Sequence, residues 1–112
     1  MSVARRGYGV VTPREVHERL ARGERFRLVD VREPVEYRVA SVSGAELIPL
    51  GELPAAFGRL DPAEEIVVMC HHGIRSASAC AFLAAAGFTR VSNMAGGIDR
   101  WSAEVDPTVP RY

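Results

Sequence analysis

The chain's most reactive side chains are concentrated in one run, Cys70-His71-His72-Gly73-Ile74-Arg75-Ser76. Ahead of it, Glu65-Ile66-Val67-Val68-Met69 is a short β-rich apolar stretch of the kind that forms a central parallel strand covered on both faces. Behind it, residues 76–86 are rich in alanine and stop at Gly87, a helix C-terminal signal. The thiol is therefore expected on a strand-to-helix connection. There, free backbone N–H groups and the helix dipole stabilise a thiolate, and Arg75 adds a cation within the same turn. Gly73 suits a turn that needs positive φ or an unobstructed approach to a ligand. Cys70 is thus the candidate nucleophile, with His71, His72, Gly73, Ile74, Arg75 and Ser76 as the surrounding binding loop. An arginine at a helix N-terminus is electrostatically poorly placed unless an anion sits there too, so Arg75 is assigned to the site rather than to the surface.

The other candidates separate on position. His71 and His72 make three consecutive potential metal ligands with Cys70, but neighbours in a tight loop rarely converge on one ion, so no metal is expected. They are expected at the entrance, where partial protonation attracts anionic donors. Cys80, mid-helix among alanines, is expected to pack. His17 is expected on a helix surface, and Gly96-Gly97 and Trp101 in turns and packing.

These groups need a scaffold. Residues 8–11 suggest an edge strand leading into a helix over residues 13–22, which Thr12, Pro13 and Glu15 start as a capping box, with Val11 and Val16 placed as a hydrophobic staple. Strands are expected over residues 26–31, 47–48, 65–69 and 89–94, and helices over 51–59, 76–86 and 98–105, with a helical turn at 34–37. Their alternation predicts a three-layer α/β domain with a mostly parallel, five-stranded sheet. Ligands in such sheets bind beyond the carboxyl ends of the strands, here Asp30 to Glu33, Pro49 to Gly51, the Cys70 loop and Ala95 to Ile98. Asp30 and Arg32 are expected to form a supporting salt bridge at the sheet edge, Asp30 also holding a loop by a hydrogen bond.

Composition narrows the function classes. The 112 residues fit one domain over residues 1–112, with a core over about 8–105 and a tail over 106–112. Fourteen basic and fourteen acidic residues give a formal charge of zero, which offers nothing to nucleic acid or a membrane surface. Every basic residue is arginine, which excludes a lysine nucleophile or Schiff base. Two cysteines ten positions apart fit neither a secreted disulfide framework nor a redox pair. Residues 1–7 lack the apolar core of a signal peptide, Arg5-Arg6 makes no convincing twin-arginine signal, and no run approaches the roughly 20 apolar residues of a membrane helix. A cytoplasmic location is expected.

Four separated blocks resemble the rhodanese family of single-domain sulfurtransferases. They are Asp30-Val31-Arg32-Glu33-Pro34-Val35-Glu36-Tyr37, Gly44-Ala45 with Ile48-Pro49-Leu50, the Cys70–Ser76 loop, and Asn93-Met94-Ala95-Gly96-Gly97-Ile98-Asp99-Arg100-Trp101. Ser41-Val42-Ser43-Gly44-Ala45 departs from the family's usual His-Ile-Pro-Gly-Ala, so no histidine role carries over. The resemblance implies a persulfide intermediate on Cys70, an anionic donor group oriented by Arg75, and no cofactor. It implies a small sulfur donor such as thiosulfate, and cyanide, a thiol or a sulfur-carrier protein as acceptor. Cysteine phosphatases place five residues between Cys and Arg where this chain has four, so a phosphoryl group should not fit. Residues 101–112 resemble the tail of rhodanese domains attached to E1-like adenylyltransferases of molybdopterin-type sulfur pathways, which raises a relay to a protein carrier. A non-catalytic interaction module is the remaining alternative.

Overall fold

The computed structural model describes residues 7–112, so all but Gly7 of the N-terminal run read against a targeting signal falls outside the described residues. Five strands, β1 Gly9–Val11, β2 Arg27–Asp30, β3 Ala45–Leu47, β4 Ile66–Met69 and β5 Val91–Met94, form one sheet in the order β1-β5-β4-β2-β3. Every pairing is parallel, so the sheet is wholly rather than mostly parallel among the described residues. The helices are α1 Pro13–Ala21, α2 Pro34–Val39, α3 Leu53–Ala56, α4 Ile74–Ala85 and α5 Gly97–Glu104.

β4 is central and 0% exposed along its length, because both of its faces are covered. Ile66 and Val68 join a core with Leu53 and Ala56 of α3 and Ala79, Cys80 and Leu83 of α4. Val67 and Met69 face the opposite core, with Val16 of α1 and Ile98 and Trp101 of α5. Period-two alternation along one strand thus feeds two helical layers. Val109 of the tail is buried in the second core, and Ser102 donates a hydrogen bond to its carbonyl.

Local chemistry explains most boundaries. Thr12 accepts from the Glu15 amide and Glu15 returns a bond to the Thr12 amide, the expected capping box, while Val11 and Val16 share one core. Several expectations shift, β5 starting two residues later than expected and α2 running two residues longer. The strand expected at 47–48 is β3 at Ala45–Leu47, started by the turn at Gly44. The helix expected over 51–59 is the four-residue α3 between two 3₁₀ turns, since Pro54 suits only a first helical turn and Gly58 favours ending one. Helix α4 begins two residues early, at Ile74, because Gly73 at φ +101° makes the turn that precedes it. No helix among the described residues is long and apolar enough to cross a membrane.

Candidate functional site

The apolar β4 ends at Met69 and releases the chain into the Cys70 loop at the carboxyl edge of the sheet. Cys70 is 1% exposed, so the thiol lies at the floor of the loop and not at its mouth. Its Sγ accepts hydrogen bonds from the amides of Gly73 at 3.1 Å and Ser76 at 3.3 Å. It also lies 3.2 Å from the Ser76 hydroxyl. The Ser76 hydroxyl donates to Asn93 Oδ1 at 2.6 Å, and Asn93 Nδ2 donates to the Gly73 carbonyl at 3.1 Å. One amide side chain therefore braces both ends of the turn around the sulfur. Donors aimed at a sulfur in a water-poor site stabilise negative charge on it, whether on a thiolate or on a sulfur attached to it.

A second helix terminus secures the loop from the other side. The free amides of Ile98 and Asp99, in the first turn of α5, donate to the carbonyls of Cys70 at 2.9 Å and His71 at 3.1 Å. This approach requires glycine: a Cβ on Gly97 would lie 2.3 Å from the Cys70 carbonyl oxygen. Gly96-Gly97, expected as a turn, is thus also a contact surface for the loop.

Arg75 extends from the first turn of α4 to Glu36 on α2, pairing through Nη1 at 2.7 Å and Nη2 at 2.9 Å. Glu36 is the anion that a cation at this helix start requires. The carboxylate also accepts from the Glu33 amide at 3.0 Å and from the Tyr112 hydroxyl at 2.9 Å. The Arg75 hydrogen bonds outweigh the opposing effect of partial burial, and with the Glu33 and Tyr112 bonds they hold the Glu36 pKa at about 2. In turn, Glu36 raises the Arg75 pKa.

The Asp30–Arg32 pair is present, but it is not at the sheet edge. β3 lies outside β2, and both side chains are 0% exposed, with Nη2 to Oδ2 at 2.7 Å. Asp30 also accepts the Arg32 amide at 3.1 Å, the expected loop-holding bond. Arg32 further donates to the carbonyls of Glu36 at 3.2 Å and Ala40 at 2.7 Å, and to the Tyr112 hydroxyl at 2.7 Å. Burial opposes its charge, yet the bonds to Asp30 and Tyr112 prevail and raise its pKa. This buried cation fastens the end of α2, and α2 carries Glu36.

His72 is exposed and its Nε2 lies 4.0 Å from Asp99 Oδ2, whereas His71 is stacked between His72 and Tyr112, each at a centroid distance of 3.9 Å. Ile74 forms the rim at 78% exposure. Cys70 joins no ligand group with the histidines; the donor set that comes together is His71, His72 and Asp99, with atoms within 4.8 Å. Those imidazoles are stacked, 30° from coplanar, so their in-plane lone pairs run side by side, and both Asp99 oxygens are engaged by Arg111 at 3.1 Å. Cys80 is 0% exposed, and burial together with the nearby Cys70 pushes its thiol up to about 12. His17 is exposed, edge-on to Trp101, and Trp101 is buried, as expected. A separate groove of about 710 Å³, lined by His17, Tyr37, Ser41, Ser43, Trp101 and Val109, does not include the thiol loop.

Glu36, Asn93, Asp99 and Tyr112 belong to this arrangement although spacing around Cys70 does not single them out. Asn93 has a signal, as a polar residue 9% exposed in a strand buried throughout. Glu36 has one in the unbalanced charge of Arg75. Tyr112 has none, since only the fold returns the tail to α2.

Comparisons with known proteins agree with this geometry. A family model described as the rhodanese-like domain matches residues 12–104. The chain is 36% identical over 104 residues to a probable adenylyltransferase/sulfurtransferase MoeZ of Mycobacterium tuberculosis, covering 91% of this chain and 26% of that protein. It therefore spans about a quarter of that relative's length. It is 35% identical over 92 residues to a protein named sulfurtransferase from Allochromatium vinosum, covering 82% of this chain and 86% of that one. The crystal structure of a rhodanese-related protein from Thermoplasma volcanium superposes with a TM-score of 0.80 at 30% identity, covering 94% of this chain and all of that one. With a matching family model across most of its length, a parallel sheet of five strands and a thiol at its carboxyl edge, the chain belongs to the rhodanese-like family.

Proposed function

We propose that the protein is a sulfurtransferase in which Cys70 takes sulfane sulfur from a donor such as thiosulfate, holds it as a persulfide and passes it to a thiophilic acceptor. The observation that carries this is the pair of amides, Gly73 and Ser76, directed at the buried Sγ. In the first half-reaction the thiolate attacks the outer sulfur of the donor, the donor's S–S bond breaks, and sulfite leaves with the bonding electrons. The persulfide extends the reach of the buried sulfur by about 2 Å toward the loop opening. Its charge stays within reach of the same amides, and attack by the acceptor restores the thiolate. Sulfurtransferase names among relatives support the general chemistry. A thiol cycling through a persulfide suits the reducing cytoplasm.

A protein acceptor is the second form of this reading. Residues 106–112 pack back toward the loop through Arg111 and Tyr112, and a relative from Bacillus subtilis is named a putative sulfur carrier protein. The experiment is intact-mass analysis after incubation with thiosulfate. One added sulfur on wild type and on Cys80→Ala, and none on a folded Cys70→Ser, is the expected result. No added sulfur on wild type favours a non-catalytic module.

A further inference from the structure

Each arginine beside the thiol loop spends its charge on a carboxylate. Arg75 gives both terminal nitrogens to Glu36, Arg111 holds Asp99 and Arg32 is buried against Asp30. With its pKa at about 2, Glu36 stays ionised at any working pH, and Tyr112 and the Glu33 amide fix its orientation. The positive field at the sulfur thus comes mainly from neutral amides. Such a field suits charge placed on the sulfur itself, but it gives a free dianion little long-range attraction.

We propose that Glu36, positioned by Tyr112, sets donor choice by cancelling Arg75, so that the site favours persulfide donors of low charge over the thiosulfate dianion. This rests on sulfur loading of Cys70. In the favoured step the Cys70 thiolate attacks the terminal sulfur of R–S–SH, a new S–S bond forms, the old one breaks, and R–S⁻ leaves with the electron pair. The proton stays on the transferred sulfur.

The test compares thiosulfate with methanethiosulfonate, a monoanion that delivers the same sulfur with a sulfinate leaving group. Donor kcat/KM is measured for wild type and Glu36→Gln. Removing one negative charge should raise kcat/KM about tenfold for the dianion and about threefold for the monoanion, since Coulomb energy scales with the charge attracted. The ratio of the two donors should rise about threefold, and this ratio is insensitive to the fraction of active protein. Adding Arg75→Gln should return it to the wild-type value. Tyr112→Phe should shift it in the same direction by less. Loading that proceeds with an unchanged or lower ratio in Glu36→Gln overturns this proposal alone. Failure of wild type to load with either donor overturns it together with the sulfur-transfer reading.

Discussion

Gly97→Ala tests how tightly the thiol loop is held. Gly97 opens α5 at φ +59°, and an added Cβ would meet the Cys70 carbonyl oxygen at 2.3 Å, the His71 carbonyl oxygen at 2.5 Å and the His71 carbonyl carbon at 2.6 Å. All three are backbone atoms, so no side chain can rotate away, and the first contact is about 1 Å shorter than ordinary van der Waals distance. The loop or the start of α5 must move by a similar amount. Left-handed backbone costs a residue with a Cβ about 1–2 kcal/mol. The two bonds broken by separation, Ile98 N to Cys70 O and Asp99 N to His71 O, cost about 1 kcal/mol each. The expected destabilisation is therefore about 3–4 kcal/mol.

The effect on chemistry should be larger than the fold loss alone explains. A displacement of about 1 Å moves Sγ relative to the Gly73 and Ser76 amides, and misplacement on that scale costs on the order of a hundredfold in rate. Urea unfolding measures the first effect, and rapid-quench mass spectrometry of sulfur loading on the folded fraction measures the second. Gly58→Ala is the control, because its Cβ meets nothing within 4 Å; it should change stability by less than about 0.5 kcal/mol. A Gly97→Ala protein with wild-type stability and loading rate would refute the claim that this contact fixes the loop.

Arg32→Met should cost about 3–5 kcal/mol in chemical denaturation, because it leaves Asp30 charged and unpaired at 0% exposure; adding Asp30→Asn should recover part of the loss. Glu36→Gln should destabilise at neutral pH by about 1–2 kcal/mol after allowance for the partly exposed Arg75. Because folding lowers the Glu36 pKa from 4.5 to about 2, this difference should be complete above about pH 4.5 and vanish as pH falls through 2, a trend that paired denaturation curves would show. Cys80→Ala should lose about 1–2 kcal/mol through a small cavity yet keep its loading rate, and a tenfold slower rate would give Cys80 a role beyond packing.

The fold was legible where local and global signals coincide. β4 reads as a run of buried residues because both of its faces are covered, and α1 announces itself through Thr12, Pro13 and Glu15. The short elements resisted: β3 and α3 span three and four residues, too few for a period to register. The thiol loop was legible in residue types but not in depth, since Cys70 shares its core with Val29, Val31 and Leu53, all distant from it in sequence. Asp30 and Arg32 suggested a pair, whereas their complete burial depends on β3 and the tail closing over them.

If Cys70 is the nucleophile proposed above, its contrast with Cys80 shows which physical property separates it from a packed thiol. Burial does not, since both are nearly inaccessible, at 1% and 0%. Both also lie in the same core. The difference is the supply of N–H donors. Cys80 sits in mid-helix, where neighbouring amides are already committed to helical carbonyls, so desolvation goes unopposed and drives its thiol up to about 12. Cys70 precedes the helix, where the amides of Gly73 and Ser76 have no carbonyl to serve and turn to the sulfur instead. Ten residues of this chain thus separate a sulfur met by free amides from one met by none, at nearly the same solvent exposure.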